Sequence, residues 1–364
     1  MNRLILLGNG FDLAHKMKTS YYDFILDYLQ KSFKEAITNN EYKDDLIEIE
    51  RDLEFGLPEI EQVGSVKQLL IFEINKDGNY VNQTTERKKP KSFKLKIKSK
   101  FIKRILNDCC DYNWVNIENE YYIALKRILN DTPLENSKQP RIDSLNQSMN
   151  FLIRQLNTYF QLQASQNLIR EYRSILQQEF IPEDFVKRPS IPIDGKYPIE
   201  TLILNFNYTN TVENYTDSLK TSIKVNYIHG RFNDESNPII FGFGDEMDDD
   251  YKRIESEKEK GFLRYIKSFG YFKTSNYHNL IRFIDSDKFQ VFICGHSCGL
   301  SDRTMLNMIF EHENCVSIKI FYHKTELHFR DLTEEISRHF RDKSSMRKKI
   351  VPFEKSSEMP QAKN

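Results

Sequence analysis

Arg3-Leu4-Ile5-Leu6-Leu7-Gly8-Asn9-Gly10-Phe11-Asp12 begins with an apolar run too short for a helix of ordinary length and runs straight into two glycines. Such a run reads as a buried strand that ends in a tight turn. Thr19 and Ser20 then stand as cap candidates before a segment carrying Tyr22, Phe24, Ile25, Tyr28 and Leu29 at helical spacing. Strand, glycine turn and helix in that order are the start of an α/β unit. The turn has two readings. Glycines let a backbone approach a phosphate, and a helix N-terminus favours the anion. Alternatively the turn is tight and holds no ligand, since position 13 is Leu13 where a third glycine would complete G-x-G-x-x-G.

Strand-like runs return only late in the chain, at Thr201–Phe206, Lys224–Ile228, Ile239–Phe243, Phe289–Cys294 and Val316–Phe321. Helical patterns lie between several of them, which indicates a parallel sheet with crossovers. The expected fold class is α/β, a doubly wound, Rossmann-type parallel sheet with a large inserted helical module. The core is expected to be discontinuous, from residues 1–39 and 191–345. Residues 40–190 would be the insert, mainly helical, with an acidic helix over 40–62 and long helices over 99–130 and 140–178. A small β insertion is expected at 66–98, where Asp77-Gly78 is a hairpin signal and Phe93-Leu95-Ile97 alternates with lysines. Pro182, Pro189, Pro192 and Pro198 mark a linker, and 346–364 reads as a flexible basic tail.

Composition narrows the function. The 364 residues hold 53 Lys+Arg and 53 Asp+Glu, so no net charge draws the whole chain to nucleic acid or an anionic membrane. No apolar run approaches 18 residues, and the N-terminal one has only four without a cleavage site, so neither a membrane span nor a secretory signal is expected. Five cysteines, Cys109 and Cys110 adjacent and Cys294, Cys298 and Cys315 scattered, show no zinc-ligand spacing and read as reduced thiols in a cytoplasm. The ten Lys/Arg of residues 86–104 could touch nucleic acid, but alternating lysines also blunt a strand edge, and nucleic acid is not the expected partner.

Three further motifs close strands. In Leu204-Asn205-Phe206-Asn207-Tyr208-Thr209-Asn210, the polar side chains suit either a ligand site or the cap of the next helix. Tyr227-Ile228-His229-Gly230 places an imidazole where acid–base work near neutral pH is feasible. Cys294-Gly295-His296-Ser297-Cys298-Gly299-Leu300-Ser301-Asp302 is a glycine-hydroxyl turn. It also fits G-x-S-x-G, so a serine hydrolase using His312 or His323 stays open. His15 and His296 read as structural. The acidic run Asp245, Glu246, Asp248, Asp249, Asp250 lacks EF-hand spacing and reads as a solvated loop, with a cation site as the alternative.

Taken in order, these blocks resemble a known family. Leu6-Leu7-Gly8-Asn9-Gly10-Phe11-Asp12-Leu13-Ala14-His15, followed by Thr19-Ser20-Tyr21-Tyr22-Asp23-Phe24, resembles the opening signature of the AbiH family of bacteriophage abortive-infection proteins. Trp114-Val115-Asn116-Ile117-Glu118 and the three later blocks are similar to its middle and late segments. The order also resembles sirtuin-like NAD-binding domains. That likeness implies NAD as substrate or ligand and no metal. It implies Gly8, Asn9, Gly10 and Asp12 at the phosphate turn, and Gly295, Ser297 and Asp302 near the adenosine half. Asn207 would position water and His229 would act as the catalytic base beside the nicotinamide ribose. Asn9 departs from the sirtuin alanine, Thr209 from its aspartate, and Cys298-Gly299 lengthens the last motif. No four-cysteine zinc module follows, so a protein deacetylase is not implied. The resemblance implies phage defence by NAD hydrolysis. Its alternatives are a nucleotide-sensing module that signals to a partner, or a metal-dependent nuclease or hydrolase. Beyond NAD or a related nucleotide, the expected partners are an unidentified phage trigger and a second copy of the chain.

Overall fold

The computed structural model describes residues 1–51, 93–131, 138–163, 167–186, 196–216 and 223–363. Nine strands lie among them: β1 (Asn2–Leu7), β2 (Glu41–Lys43), β3 (Ile47–Arg51), β4 (Phe93–Ile97), β5 (Thr201–Asn205), β6 (Ile223–Tyr227), β7 (Phe289–Cys294), β8 (Cys315–Tyr322) and β9 (Ser357–Glu358). The chain divides into two compact units, residues 1–18, 163–257 and 263–364 forming the first, and 19–162 with 258–262 the second.

In the first unit, six strands form one parallel sheet in the order β6-β5-β1-β7-β8-β9. Numbered by their own sequence this is 3-2-1-4-5-6, the order of Rossmann-type dinucleotide-binding sheets. The unbroken apolar runs follow from burial on both faces. Period-two alternation sends Leu4, Leu6, Leu204, Val291, Ile293 and Ile318 to one face, under Leu280, Leu306, Ile309 and Ile336. It sends Ile5, Leu7, Ile203, Phe292 and Phe321 to the other, under Phe11, Tyr172, Leu176 and Tyr215. The sheet is therefore covered on both sides, as a doubly wound fold requires.

The second unit is mainly helical. Ser20 Oγ accepts the Asp23 amide at 3.0 Å and caps helix Tyr21–Asn39, which stops at Asn40 in the left-handed region. Ser99 and Asn116 cap helices Lys100–Tyr112 and Ile117–Asn130 in the same way. A third long helix covers Gln139–Gln161. The antiparallel sheet β2-β3-β4 completes this unit.

Several expectations need correction. Residues 40–51 form β2 and β3 rather than an acidic helix: Ile47 and Ile49 are buried while Glu48 and Glu50 face Lys96 and Lys94 across the pair. Period two outweighs the helix-forming composition there. Lys96 of β4 and Lys43 of β2 reach Glu48 of β3 at 2.8 and 3.0 Å, so Glu48 is paired from both neighbouring strands. Of Ile239–Phe243, residues 240–243 are buried, but the run forms no strand of the sheet. Gly242 has φ +146 and its missing Cβ is where the Tyr265 carbonyl sits, leaving a single bridge from Phe243 to Ile266. The helical stretch 140–178 breaks after Gln161 and resumes as the short helix Glu171–Leu176. Residues 343–363 carry helix Lys343–Lys349 and then β9, with Val351 and Met359 buried, where a frayed tail was expected. Residues 52–92, with the Asp77-Gly78 turn, and 187–195, with Pro189 and Pro192, lie outside the described residues.

Candidate functional site

The sheet order brings the four glycine and polar motifs side by side, because β6, β5, β1 and β7 are neighbours and each motif follows the C-terminal end of its strand. The β1 and β7 ends touch backbone to backbone. A Cβ at Gly8 would lie 2.5 Å from His296 Cα, and one at Gly10 2.8 Å from Gly295 Cα. The Gly8 and Gly10 amides donate to the Cys294 and Gly295 carbonyls at 3.2 and 2.8 Å. These glycines are needed for the approach of two turns, which joins the strands flanking the topological switch point.

The β5 loop is closed by its own side chains. Asn205 Oδ1 accepts the Asn207 amide at 3.0 Å, and Asn205 Nδ2 donates to the Thr209 carbonyl. Asn207 Nδ2 donates to the Gly8 carbonyl at 3.0 Å, stapling the β5 turn to the β1 turn. Thr209 donates to Asp12 Oδ2 at 2.6 Å. Asp12 is buried and its Oδ1 has no partner among the described residues. Burial pushes its carboxyl up to about 6, with the Thr209 and Thr211 hydroxyls pulling the other way.

The densest chemistry gathers on Asp302. His229 Nε2 lies 3.2 Å and Lys267 Nζ 2.8 Å from Asp302 Oδ1, while His296 Nε2 lies 3.7 Å from Oδ2. All four are buried. Burial alone would raise the Asp302 carboxyl, but the Lys267 ammonium and the two imidazoles outweigh it and hold the group well below the usual carboxylate range. His296 is lowered to about 4 by burial, against the pull of Asp302. Its Nδ1 accepts the Cys298 amide at 3.0 Å, so Nε2 carries the proton in the neutral ring. The Phe206 ring stands 5.2 Å from His229 and 4.1 Å from His296. Tyr271 Oη is 3.4 Å from His229 Nε2.

Local backbone explains where His229 stands. Gly230 has φ +82, and a Cβ there would meet the Pro238 carbonyl at 2.2 Å. The chain turns back at that point, and the Ile240 amide donates to the His229 carbonyl at 2.8 Å.

The other candidates fall as follows. Ser297 is exposed, and no histidine is hydrogen-bonded to it among the described residues. His312 pairs with Asp285 at 3.1 Å, before β8, at the opposite end of the strands from Ser297. His15 is buried beside Phe11 and Tyr215, bonded to the Phe11 carbonyl. Within the acidic run, Asp245 pairs with Arg303 at 3.1 Å and Asp248 caps helix Asp249–Ser256. Among the described residues no group of three or more His, Cys, Asp or Glu side chains is placed to hold a metal ion. No described helix is long and apolar enough to cross a membrane.

The sequence singled out His229 and Asp302 separately and did not show that they touch. It missed Lys267, Tyr271 and the role of His296. The fold and motif order agree with one family, whose sequence model, described as bacteriophage abortive infection AbiH, matches residues 4–324. The chain belongs to the AbiH family. Its general role is therefore abortive infection, a defence against bacteriophage. Among curated proteins none matches this AbiH-family chain.

Proposed function

We propose that this AbiH-family protein defends by hydrolysing the nicotinamide–ribose bond of NAD on a sirtuin-like core, lowering the dinucleotide in the infected cell. The observation that carries the reading is the buried His229–Asp302 pair, which joins the loop after β6 to the loop after β7 above the C-terminal ends of the intervening β5 and β1. Open α/β sheets bind dinucleotides at that edge. With Asp302 ionised, His229 Nε2–H donates to it, and Nδ1 is left as the basic nitrogen. Asp302 then fixes the tautomer and stabilises the imidazolium that forms, as the acid of a catalytic triad does.

The C1′–N bond breaks with oxocarbenium character, and its electron pair neutralises the departing pyridinium. A water oxygen bonds to C1′ and gives its proton to His229. Asn207, whose Nδ2 is held by Gly8, offers its carbonyl oxygen to that water. In this reading the rest of the dinucleotide would lie along the turns that carry Asn9, Gly295 and Ser297. Gly8 and Gly10 serve by packing the turns, since their amides are already bonded. Asp12 fastens the β5 loop through Thr209. A positioned base contributes about 10²–10⁴-fold in rate.

One observation favours a second reading. His229 is only 5% exposed and Asn207 only 7%, the arrangement of a closed site. In that reading the protein binds the nucleotide without turnover and passes the state to a partner. Purified protein incubated with NAD, with and without phage lysate, separates the two. Nicotinamide release that disappears in His229→Ala supports hydrolysis. Binding by calorimetry without release supports sensing, and neither binding nor release removes NAD from the account.

A further inference from the structure

A cavity of about 180 Å³ borders the site, walled by Gly244, Glu246, Tyr271, Phe272, Tyr277 and Asp302. It has the room for a ring-sized group rather than a whole dinucleotide, small-molecule sites being typically about 300–1,000 Å³. Its charges are unequally matched. Asp302 has the Lys267 ammonium at 2.8 Å, and neighbouring Asp245 has Arg303 at 3.1 Å. The half-buried Glu246 carboxylate has no hydrogen bond or ion pair among the described residues, and only its backbone amide is engaged, by Thr304 Oγ1 at 2.9 Å. His278, which also borders the cavity, is exposed to solvent.

The remaining wall is aromatic. Tyr271 and Tyr277 stack with centroids 5.2 Å apart and planes 20° from parallel, and Phe272 stands 80% exposed at the mouth. Tyr271 also stacks on His229, with centroids 6.3 Å apart and planes 13° from parallel, so the rings left to offer a negative face are Tyr277 and Phe272; with the Glu246 carboxylate beside them they attract organic cations. An anion would be repelled. A bare divalent cation would need several more oxygen ligands than these walls offer.

We propose that this cavity is a subsite for a ring-sized organic cation, either the pyridinium of an oxidised nicotinamide nucleotide or a small quaternary ammonium. The site goes beyond NAD cleavage, because it stands whether or not a bond is broken. Calorimetry on the full chain tests it with 1-methylnicotinamide, its neutral counterpart nicotinamide, and tetramethylammonium. The charged ring binds about tenfold tighter than the neutral one. Glu246→Gln, which keeps the backbone bond to Thr304, removes about that factor, and Phe272→Ala, at an exposed position that threatens no core, costs about threefold. Competition by tetramethylammonium identifies a quaternary ammonium as the occupant, and its failure to compete identifies a pyridinium. Equal affinity for the charged and neutral rings overturns the subsite, as does a Glu246→Gln variant that binds the cation as wild type does. Cation selectivity without nicotinamide release from NAD keeps the subsite and removes the hydrolase reading.

Discussion

Two buried carboxylate–lysine pairs sit in the same sheet unit, and they differ in what is left over. At the first, Asp184 receives Lys319 Nζ on both oxygens at 3.1 and 3.2 Å, and Gln290 Nε2 on one of them. Ser317 donates to its carbonyl at 2.8 Å, and Arg3 bonds Gln290. That carboxylate is saturated. At the second, Lys267 and His229 both crowd onto Oδ1 of Asp302, while Oδ2 has, among the described residues, only Ser301 at 3.5 Å and His296 at 3.7 Å. Asp302 also borders a cavity. A buried ion pair is therefore no mark of a site by itself. The open one has titratable rings, an under-bonded oxygen and space; the saturated one holds residues 178–185 to β1, β7 and β8.

Substitutions can break this contrast. The largest expected effect is at the open pair: on the proposed hydrolase reading, His229→Ala lowers nicotinamide release by about 10²–10⁴-fold while the unfolding midpoint stays near wild type. A comparable loss of stability would move His229 into the structural class. At the saturated pair the order reverses. Lys319→Met leaves Asp184 buried without its cation and costs about 3–5 kcal/mol in denaturant unfolding, with turnover per folded molecule retained. Adding Asp184→Leu should recover much of that loss, and no recovery would show that the network does more than balance charge.

Asp12 gives a pH test, since its carboxyl also has an orphaned oxygen. Its folded value of about 6 lies above the unfolded one, so the folded state holds the extra proton. The stabilisation this brings is complete below about pH 4 and is lost as pH rises through about 6. Asp12→Asn should flatten that window and gain about 2–3 kcal/mol at pH 7. Unchanged pH dependence would mean that Asp12 ionises as an exposed carboxyl does. The smallest effects form a matched pair of serines. Ser317→Ala removes a 2.8 Å bond and costs about 1 kcal/mol, whereas Ser301→Ala, at 3.5 Å, stays within about 0.5 kcal/mol. Equal losses in thermal melts would erase the distinction between saturated and open.

What could be read from the sequence follows from the same physics. Strands buried on both faces leave unbroken apolar runs, so β1, β5 and β7 were visible, and with them the turns that end them. β9 was not, because Ser357 and Glu358 are polar and only pairing with β8 makes them a strand. Residues 239–243 have the composition of a strand, yet Gly242 and the Tyr265 carbonyl force another path. Within the site, His229 and Asp302 were marked by the motifs that carry them. Lys267 has no local signal: it lies between Ile266 and Ser268, and only tertiary packing makes it a buried cation.

The position of β1 in the sheet has a consequence for synthesis. Arg3 pairs with Thr201 and Leu7 with Cys294, so the central strand of the sheet leaves the ribosome roughly 200 residues before its first neighbour. At about 5–20 residues per second that wait is on the order of 10–40 s. Residues 19–162, the bulk of the second unit, are complete in the interval. Such distant pairing slows folding and leaves Leu4 to Leu7 unpaired meanwhile. A ribosome halted before β5 would hold an apolar segment with no sheet to enter.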